Sequence, residues 1–411
     1  MTIQVIGLGY IGLPTAAMFA SVGQDVLGVD VNEQAVVALN AGKPHIFEPG
    51  LDELVQQVVA DGRLRAVGVP EAADAFIIAV PTPFKLDHEP DLAYVEAAAR
   101  SIAPVLKSGD LVVLESTSPV GTTDRLCGWL QDERPDLRFP VEGDLSESDI
   151  AIAYCPERVL PGRILDELRS NDRILGGITP ACARAASELY GLFVEGQCRV
   201  TNARTAELAK LSENAYRDVN IAFANELSLI ADRLDIEVWE LIDLANLHPR
   251  VNILSPGPGV GGHCIAVDPW FIVHSAPNDV ELIPAARAVN NRKPLWVVDK
   301  VRAAMSELDS PTVACLGLAY KPDIDDLRES PAIEVVRQLA SDAGSVVLVV
   351  EPNVDVLPAN LELDNVVMHD LPSAIAAADI VVGLVAHREF VLLDPSEFEG
   401  CPVVDAVGMW K

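Results

Sequence analysis

The stretch GPGVGGHCIAVDP, which spans residues 257–269, places Cys264 in a glycine-rich loop four residues before Asp268. Such a cysteine can pack as a small apolar side chain, bind a metal or act as a nucleophile. The metal role needs further ligands at suitable spacing, which the loop does not supply. Gly261 and Gly262 weaken the packing role, because glycine is used where a backbone needs freedom or a ligand needs room. The loop alone leaves packing and nucleophile both open.

Lys210 and Asn214 are four residues apart in a long helical pattern, and so lie on one face of the predicted helix. A helical lysine is usually a solvated surface charge. Here the polar positions continue through Arg217, Asp218 and Asn225 in an otherwise apolar pattern, and asparagine is a poor helix former. A lysine near a carbonyl can stabilise an oxyanion and lower the pKa of a neighbouring thiol. Helix formation by itself therefore does not explain why polar residues occupy these positions.

The first strand pattern ends in GLGYIG, where Gly7, Gly9 and Gly12 surround Tyr10 and Ile11 with G-x-G-x-x-G spacing. In a dinucleotide-binding turn, the first glycine permits the turn and the second lets the backbone approach a pyrophosphate. The third lets the helix pack on the strand, and the amino end of that helix attracts the phosphates. A strand pattern before the motif and a helical pattern after it are the context that this interpretation requires.

Asp30 ends the next strand pattern, near the offset of ~20 residues at which a carboxylate binds the ribose hydroxyls. Its charge would repel a 2′-phosphate, which favours NAD over NADP. Thr82 in AVPTP, and Thr117 and Thr123 in STSPVGTT, follow later strand patterns. Since ligands bind at the carboxyl edge of such sheets, we predict that these threonines contact NAD.

Strand and helix patterns alternate in two parts of the chain, residues 1–198 and 298–411. Val- and Ile-rich strands alternating with helices predict a parallel sheet covered on both faces. Residues 199–297 are mainly helical, with one long pattern from Thr201 to Leu234. The expected fold class is α/β, with two doubly wound, Rossmann-like parallel-sheet domains joined by a central helical domain. The long helix is a natural dimer surface.

The length of 411 residues exceeds the ~250 to 300 at which a single core stops growing. A net charge of −31 argues against nucleic acid or an anionic membrane as a partner. Apolar runs are shorter than the ~18 to 20 residues of a membrane helix, and the start lacks a basic signal-peptide region. Seven cysteines without a C-x-x-C pair fit reduced thiols. We expect a soluble cytoplasmic protein.

The motifs together closely resemble the family of nucleotide-sugar 6-dehydrogenases that includes UDP-glucose and GDP-mannose dehydrogenases. The resemblance spans the chain and rests on GLGYIGLP, EPGL, VPTPF, ESTSPVGTT, YCPERVLPG, ELAKLSENAYRDVNIAFANEL, HPRVNILSPGPGVGGHCIAVDPWFI and GLAYKPDIDDLRESPA. It implies a two-step oxidation of a sugar C6 alcohol to a carboxylate, with NAD as cofactor and two NADH released. It also implies an amino-terminal NAD-binding domain, a central domain that forms a homodimer, and a carboxy-terminal domain that binds a UDP-sugar.

The resemblance assigns roles to the candidate catalytic residues. Cys264 would hold an aldehyde as a thiohemiacetal and then as a thioester. Lys210 would be the general acid/base and oxyanion partner, and Asn214 would help to hold the reacting oxygen. Asp268 and Glu157 would position or activate water for hydrolysis of the thioester.

Other roles remain open for the two carboxylates, since Asp268 could cap a turn and Glu157 could pair with Arg158. By the resemblance, the substrate would be bound by residues in matching motifs, namely Arg158, Val159, Lys210, Asn214, Arg217, His248, Arg250, Gly261, Tyr320 and Lys321. The HPR segment would reach the neighbouring subunit's site, and Arg328 would lie near the cofactor.

His263 and Val267 stand where the UDP-glucose branch of the family has a small residue and a lysine. Both match the N-acetylhexosamine branch, and VPTPFK, CPERVLPG, HPRVNI and GGHCIAVDPWF favour UDP-N-acetyl-D-mannosamine as substrate. UDP-N-acetyl-D-glucosamine and UDP-glucose remain alternatives. A non-catalytic dinucleotide sensor is a different class, but it should have lost some of the catalytic residues. A one-step alcohol dehydrogenase would need no cysteine.

Overall fold

The computed structural model describes residues 1–85, 88–143, 147–262, 264–342, 344–398 and 400–411. The chain folds into two compact units. The first comprises Met1–Glu213 and Trp270–Pro277, and the second comprises Asn214–Pro269 and Asn278–Lys411.

An eight-stranded sheet forms the centre of the first unit, in the order β3-β2-β1-β4-β5-β6-β7-β8. Its strands are β1 (Thr2–Ile6), β2 (Asp25–Val29), β3 (Leu64–Val67), β4 (Ala75–Ile78), β5 (Leu111–Leu114), β6 (Ala151–Tyr154), β7 (Arg173–Gly177) and β8 (Cys198–Asn202). Strands β1 to β6 pair in parallel, whereas β7 is antiparallel to β6 and parallel to β8. The sequence did not predict this reversal, because buried strands of either direction have similar apolar patterns.

The helices of the first unit cover both faces of this sheet with apolar side chains. They are α1 (Gly12–Ser21), α2 (Glu33–Asn40), α3 (Leu51–Ala60), α4 (Ala93–Ile102), α5 (Thr122–Glu133), α6 (Ile164–Ser170) and α7 (Pro180–Tyr190). Alternate residues of β1 belong to two separate core clusters, with Ile3 and Val5 in one and Ile6 in the other. A sheet that is buried on both faces is the arrangement that the Val- and Ile-rich strands predict.

A smaller sheet of five strands lies in the second unit, in the order β11-β10-β9-β12-β13, and all its pairs are parallel. The strands are β9 (Thr312–Leu316), β10 (Val346–Val350), β11 (Val366–Met368), β12 (Ile380–Gly383) and β13 (Val403–Asp405). Helices α12 (Pro331–Ala340), α13 (Leu371–Ala377) and α14 (Arg388–Val391) belong to this sheet region. The predicted fold class, two parallel-sheet α/β domains with a helical central region, is confirmed.

Helices dominate the central part of the chain. They are α8 (Ala203–Arg233), α9 (Val238–Asn246), α10 (Asp268–Ser275) and α11 (Leu282–Met305). Helix α8 matches the predicted pattern from Thr201 to Leu234 closely. Helix α11 contains Pro294 in its interior, and a proline in a sequence normally indicates a helix end. The predicted domain boundaries at 198/199 and 297/298 fall within β8 and α11.

Among the described residues, we find no helix whose length and apolar character would let it span a bilayer.

The turn between β1 and α1 depends on Gly12. A Cβ atom built on Gly12 would lie 1.8 Å from the carbonyl oxygen of Gly7, a distance that no non-bonded carbon and oxygen can adopt. Gly7 itself has φ 92° and donates its N–H to the carbonyl of Val29 at 2.8 Å. Helix α1 can therefore begin directly beneath the turn only because residue 12 has no side chain.

We expect Gly12→Ala to lower the free energy of unfolding by about 1–3 kcal/mol, because the added methyl group must displace backbone. Gly128→Ala is the matched control, since a Cβ atom there meets no atom within 4 Å in helix α5. The control should stabilise the protein by up to about 1 kcal/mol. Urea unfolding of both variants measures the difference. Equal stability of the two variants would show that the turn tolerates the added methyl group.

Candidate active site

The glycine turn of the first unit has the form of a phosphate-binding turn. A Cβ atom on Gly9 would meet nothing within 4 Å, so the backbone can be approached closely at this residue. Ile11 precedes α1 directly, and Tyr10 is half exposed. The amino end of a helix carries unpaired N–H groups and a positive partial charge, which favour an anion there. The geometry therefore fits the pyrophosphate of a dinucleotide.

Asp30 lies beside this turn, directly after β2. Its Oδ2 accepts the N–H of Leu8 and its Oδ1 accepts the N–H of Asn32, each at 2.8 Å. These two bonds hold the carboxylate in one orientation, and a carboxylate has further lone pairs that can accept the hydroxyls of a ribose. The position and chemistry of Asp30 agree with the predicted NAD site.

The second sheet repeats this construction with a different outcome. Gly317 has φ 99° and donates its N–H to Val350, and Leu318 donates its N–H to Glu351 Oε2 at 2.7 Å. Here, however, His387 Nε2 lies 3.1 Å from the same carboxylate oxygen. Burial tends to raise the pKa of Glu351, but the hydrogen bonds from His387 and from backbone N–H groups lower it to about 2. The carboxylate of Glu351 is therefore bonded to a buried side chain of the protein itself.

The predicted cofactor threonines lie at the carboxyl edge of the first sheet. Thr82 donates its hydroxyl to the carbonyl of Thr117 at 2.5 Å. Thr123 is buried, and both its N–H and its hydroxyl donate to Glu207 Oε1, at 2.8 and 2.6 Å. Glu207 also accepts the N–H of Gly121 at 2.6 Å, so this residue of α8 caps the start of α5. The polar groups of Thr123 are therefore used within the protein, and its contact with NAD remains a prediction.

Glu157 forms a buried ion pair that the sequence did not reveal. Arg173 Nη1 lies 2.6 Å from Glu157 Oε2, and the side chains are 2% and 7% exposed. The side chain of Arg158 instead pairs with Glu213 at 2.9 Å, so the structure does not show the alternative in which the side chains of Glu157 and Arg158 pair. Only the backbone N–H of Arg158 bonds to Glu157, at 2.6 Å.

A second buried carboxyl group, that of Glu115, lies close enough to this pair to be coupled to it electrostatically. It accepts the hydroxyls of Tyr190 at 3.0 Å and of Thr15 at 3.2 Å. Burial, and then the charge of Glu157, raise the pKa of Glu115 to about 8, against the opposing effect of Arg173. Glu115 is therefore mostly protonated at neutral pH and adds little negative charge beside Glu157.

The loop that carries Arg158 and Val159 is held by a third buried carboxylate. Glu48, from the EPGL motif, accepts the N–H groups of Gly162 at 2.9 Å and Ile164 at 2.7 Å. Val159 packs against the first core cluster. Glu48 is far from this loop in the sequence, and only its position in a family motif could have drawn attention to it.

Asn214, Cys264 and Asp268 come together in the second unit. Asn214 Nδ2 donates to Asp268 Oδ2 at 2.6 Å. The carbonyl of Cys264 accepts the N–H groups of Val267 and Asp268, at 3.1 and 2.8 Å. Asp268 is buried and begins α10, and Cys264 is half-buried. The predicted nucleophile and one predicted water-activating carboxylate are thus joined by a single turn of chain.

Lys210 lies one helical turn before Asn214 in α8, as predicted, and its side chain is buried. A buried lysine in a helix is uncommon, so the structure argues against a solvated surface charge. His263 lies outside the described residues.

Gly261 allows a close approach, but to the protein's own chain. A Cβ atom there would lie 2.6 Å from the carbonyl oxygen of Glu329 and 2.7 Å from Tyr320 Cβ. Gly262 then donates its N–H to the carbonyl of Arg328 at 3.0 Å. The guanidinium of Arg328 bonds to Asp326 at 2.6 Å. The cysteine loop and the turn that contains Tyr320 and Arg328 are therefore packed together, and the expected contact of Gly261 with substrate remains a prediction.

The remaining predicted substrate cations are exposed in the second unit. They are Arg217 on α8, His248 and Arg250 in the turn after α9, and Lys321 after Tyr320. The N–H of Arg250 donates to His248 Nδ1 at 3.4 Å. Exposed cations of this kind can bind the phosphates of a substrate without first breaking a buried pair.

Comparisons with known proteins agree with this geometry. Three models of the UDP-glucose/GDP-mannose dehydrogenase family match the chain, namely the NAD binding domain at residues 1–194, the central domain at 204–292 and the UDP binding domain at 314–411. An NDP-N-acetyl-D-galactosaminuronic acid dehydrogenase of Ralstonia nicotianae is 59% identical over 410 residues, covering 100% of this chain and 96% of that protein. A UDP-N-acetyl-D-mannosamine dehydrogenase of Escherichia coli K12 is 57% identical over 418 residues, covering 100% and 99%.

Solved structures show the same relation. A UDP-D-ManNAc dehydrogenase from Pyrococcus horikoshii superimposes with a TM-score of 0.90 at 38% identity, covering 100% of this chain and 96% of that one. The UDP-N-acetyl-mannosamine dehydrogenase of Staphylococcus aureus gives a TM-score of 0.86 at 43% identity, covering 100% and 95%. The chain therefore belongs to the UDP-glucose/GDP-mannose dehydrogenase family and is an NAD-dependent dehydrogenase.

Proposed function

We propose that the protein oxidises UDP-N-acetyl-D-mannosamine at C6 to UDP-N-acetyl-D-mannosaminuronate and releases two NADH. The observation that carries the proposal is the arrangement of Cys264 one turn before Asp268, with Asp268 bonded to Asn214 at 2.6 Å. A simple alcohol dehydrogenase has no use for a cysteine at this place, whereas a four-electron oxidation needs a group that retains the aldehyde between its two steps.

NAD held at the glycine turn and Asp30 would supply the oxidising power, one molecule for each oxidation. In the first oxidation C6 loses a hydride and its hydroxyl loses a proton, which leaves an aldehyde. Between the two oxidations, the thiolate of Cys264 adds to the aldehyde carbon, and the carbonyl oxygen takes up a proton to give a thiohemiacetal. The second oxidation removes the C6 hydride and the hydroxyl proton, which leaves a thioester. Water then adds to the thioester carbon, the C–S bond breaks, and the carboxylate, the Cys264 thiolate and protons are released.

The chain's other polar residues serve proton transfer and water. Lys210 exchanges the proton of the reacting oxygen and stabilises negative charge on it. Asn214 orients Asp268 through their hydrogen bond, so that one carboxylate oxygen has a defined direction. Glu157 is held by Arg173 and contributes to the activation of water. The candidate cations for the diphosphate of the substrate are Arg158, Arg217, His248, Arg250 and Lys321, in a chain of net charge −31.

We also propose that the protein is a homodimer formed through α8. Tyr216, Phe223 and Ile230 recur at seven-residue spacing along this helix and are 73%, 52% and 49% exposed. Residues seven apart lie on one face of a helix, and an exposed row of large apolar side chains indicates a contact surface. The HPR segment then reaches the partner subunit's site, and Arg328 lies near the cofactor.

An N-acetylgalactosamine substrate is a second candidate. It is favoured by the name of the Ralstonia nicotianae relative, which is as similar to this chain as the mannosamine dehydrogenases are. The two sugars differ in the configuration of their hydroxyl and acetamido groups, so the same Cys264 chemistry applies to either.

The proposal is tested by steady-state rates measured at low and high salt with four substrates, namely UDP-N-acetyl-D-mannosamine, UDP-N-acetyl-D-galactosamine, UDP-N-acetyl-D-glucosamine and UDP-glucose. We expect the highest kcat/KM with the mannosamine and two NADH for each sugar consumed. A higher kcat/KM with the galactosamine would identify it as the substrate and would leave the proposed mechanism unchanged. One NADH for each sugar would contradict the four-electron oxidation.

We expect Cys264→Ser to lower the rate of uronate formation by several orders of magnitude, because a hydroxyl is a far weaker nucleophile than a thiolate and a poorer leaving group. Cys401→Ser, at another half-buried cysteine, is the control and should retain wild-type turnover. Mass spectrometry of the reaction measures the product. Wild-type uronate formation by Cys264→Ser would exclude the covalent mechanism.

We expect Tyr216→Asp combined with Phe223→Asp to give a monomer. The dimer contact would otherwise bury four carboxylates, two from each subunit, and removing them from water is unfavourable. Tyr94→Asp, at an exposed tyrosine of α4, is the matched control and should leave the mass unchanged. Sedimentation equilibrium measures the mass of each variant. A dimer that survives the double substitution would place the interface elsewhere, and a monomeric wild type would exclude the dimer.

A further inference from the structure

A buried chain of hydrogen bonds connects α8 and α11 to the cysteine loop, by which we mean residues 257–268. Asp218 and Asn225 lie on α8, Asn290 lies on α11, and all three are at most 1% exposed. Asn290 Nδ2 donates to Asp218 Oδ1 at 2.8 Å, and Asn225 Nδ2 donates to Asn290 Oδ1 at 2.9 Å. The chain ends where the N–H of Gly257 donates to Asn225 Oδ1 at 2.9 Å.

The direction of every bond in this chain is determined by its two ends. The N–H of Gly257 can only donate, so the amide oxygen of Asn225 must face it and the Asn225 NH₂ group must face Asn290. The NH₂ group of Asn290 then faces Asp218, whose carboxylate can only accept. Burial raises the pKa of Asp218, but the ion pair with Arg287 at 2.6 Å and the bond from Asn290 oppose this. No amide can rotate without breaking at least one buried hydrogen bond.

The cysteine loop is therefore attached to α8 at both ends. Asn225 binds its entry at Gly257, and Asn214 binds its exit at Asp268. Residues eleven apart in an α-helix are about three turns and ~16 Å apart on the same face. Between these points, a Cβ atom on Gly259 would lie 3.2 Å from the Asn290 carbonyl oxygen, so the loop also packs on the backbone of α11. A rigid helix thus sets the distance that the loop spans.

We propose that Asn225 and Asn290 are positioning residues for Cys264. They fix the entry of the cysteine loop, as Asn214 fixes its exit, and thereby hold the half-buried thiol in one place. The role in turnover rests on the proposed function, but the effect on the thiol does not.

Asn225→Asp tests the proposal with almost no change in volume. An aspartate can still accept the N–H of Gly257, but its second oxygen then faces the amide oxygen of Asn290. Since neither oxygen can donate, the hydrogen bond between these two side chains is lost. Asn220→Asp is the matched control, because Asn220 lies on the same helix and its NH₂ group bonds to the carbonyl of Tyr216 in α8 itself. Asn225→Ala, which introduces no buried charge, serves if the aspartate variant does not fold.

The measurement is the rate at which iodoacetamide alkylates each cysteine, followed by mass spectrometry of peptides. Cys198 and Cys401 are also half-buried and act as internal references. We expect the alkylation rate of Cys264 to rise about three- to tenfold in Asn225→Asp, because local opening of the cysteine loop then costs less free energy. Cys198 and Cys401 should keep their wild-type rates in this variant, and all three cysteines should keep them in Asn220→Asp. A Cys264 rate within twofold of wild type would overturn the proposal, and so would an equal rise at all three cysteines, which indicates general destabilisation.

Kinetics provide a second readout. Since misplacement of a reacting group by about 1 Å can lower a rate ~100-fold, we expect kcat of Asn225→Asp to fall at least about tenfold. The KM for NAD should stay unchanged, because the glycine turn and Asp30 belong to the first unit. A wild-type kcat would overturn the proposal. If the wild-type protein oxidises no UDP-sugar, the proposed function fails, and the alkylation rates alone decide the role of Asn225.

Discussion

Polar side chains buried along α8 must each find a hydrogen-bond partner, and much of the candidate site follows from where those partners lie. An unpaired buried polar group costs about 1–3 kcal/mol, so a helix that buries several of them fits only one arrangement of its surroundings. Glu207 caps the start of α5, Asn214 binds Asp268, and Asn225 binds Gly257. One helix therefore determines where α5 begins and where the cysteine loop enters and leaves.

Buried carboxyl groups of the first unit are accommodated in three different ways. Glu157 is neutralised by Arg173, Glu115 retains its proton near neutral pH, and Glu48 accepts the backbone N–H groups of Gly162 and Ile164. Each solution avoids an uncompensated buried charge, whose cost would exceed that of most single interactions in the protein.

The two sheets show that a backbone arrangement does not by itself decide what a site binds. Both have a glycine turn after their central strand and a carboxylate after the next strand. In the first sheet the Asp30 side chain bonds to two backbone N–H groups, which leaves its other lone pairs for a ribose. In the second, His387 lies against Glu351 and is itself buried. The two carboxylates therefore differ in the partners that the fold gives them, although their positions after a strand are similar.

The sequence by itself determined the features that depend on near neighbours. Glycine spacing predicted the first turn, apolar periodicity predicted α8 to within two residues at its start, and the glycine-rich loop drew attention to Cys264 as a candidate nucleophile. It could not identify Arg173 as the partner of Glu157, the reversed strand β7, or the reason for Asn225 in a helix. These depend on residues 16 to 65 positions apart in the sequence. Only the tertiary structure decided them, because a buried polar group is satisfied by whichever residue the fold brings within about 3 Å.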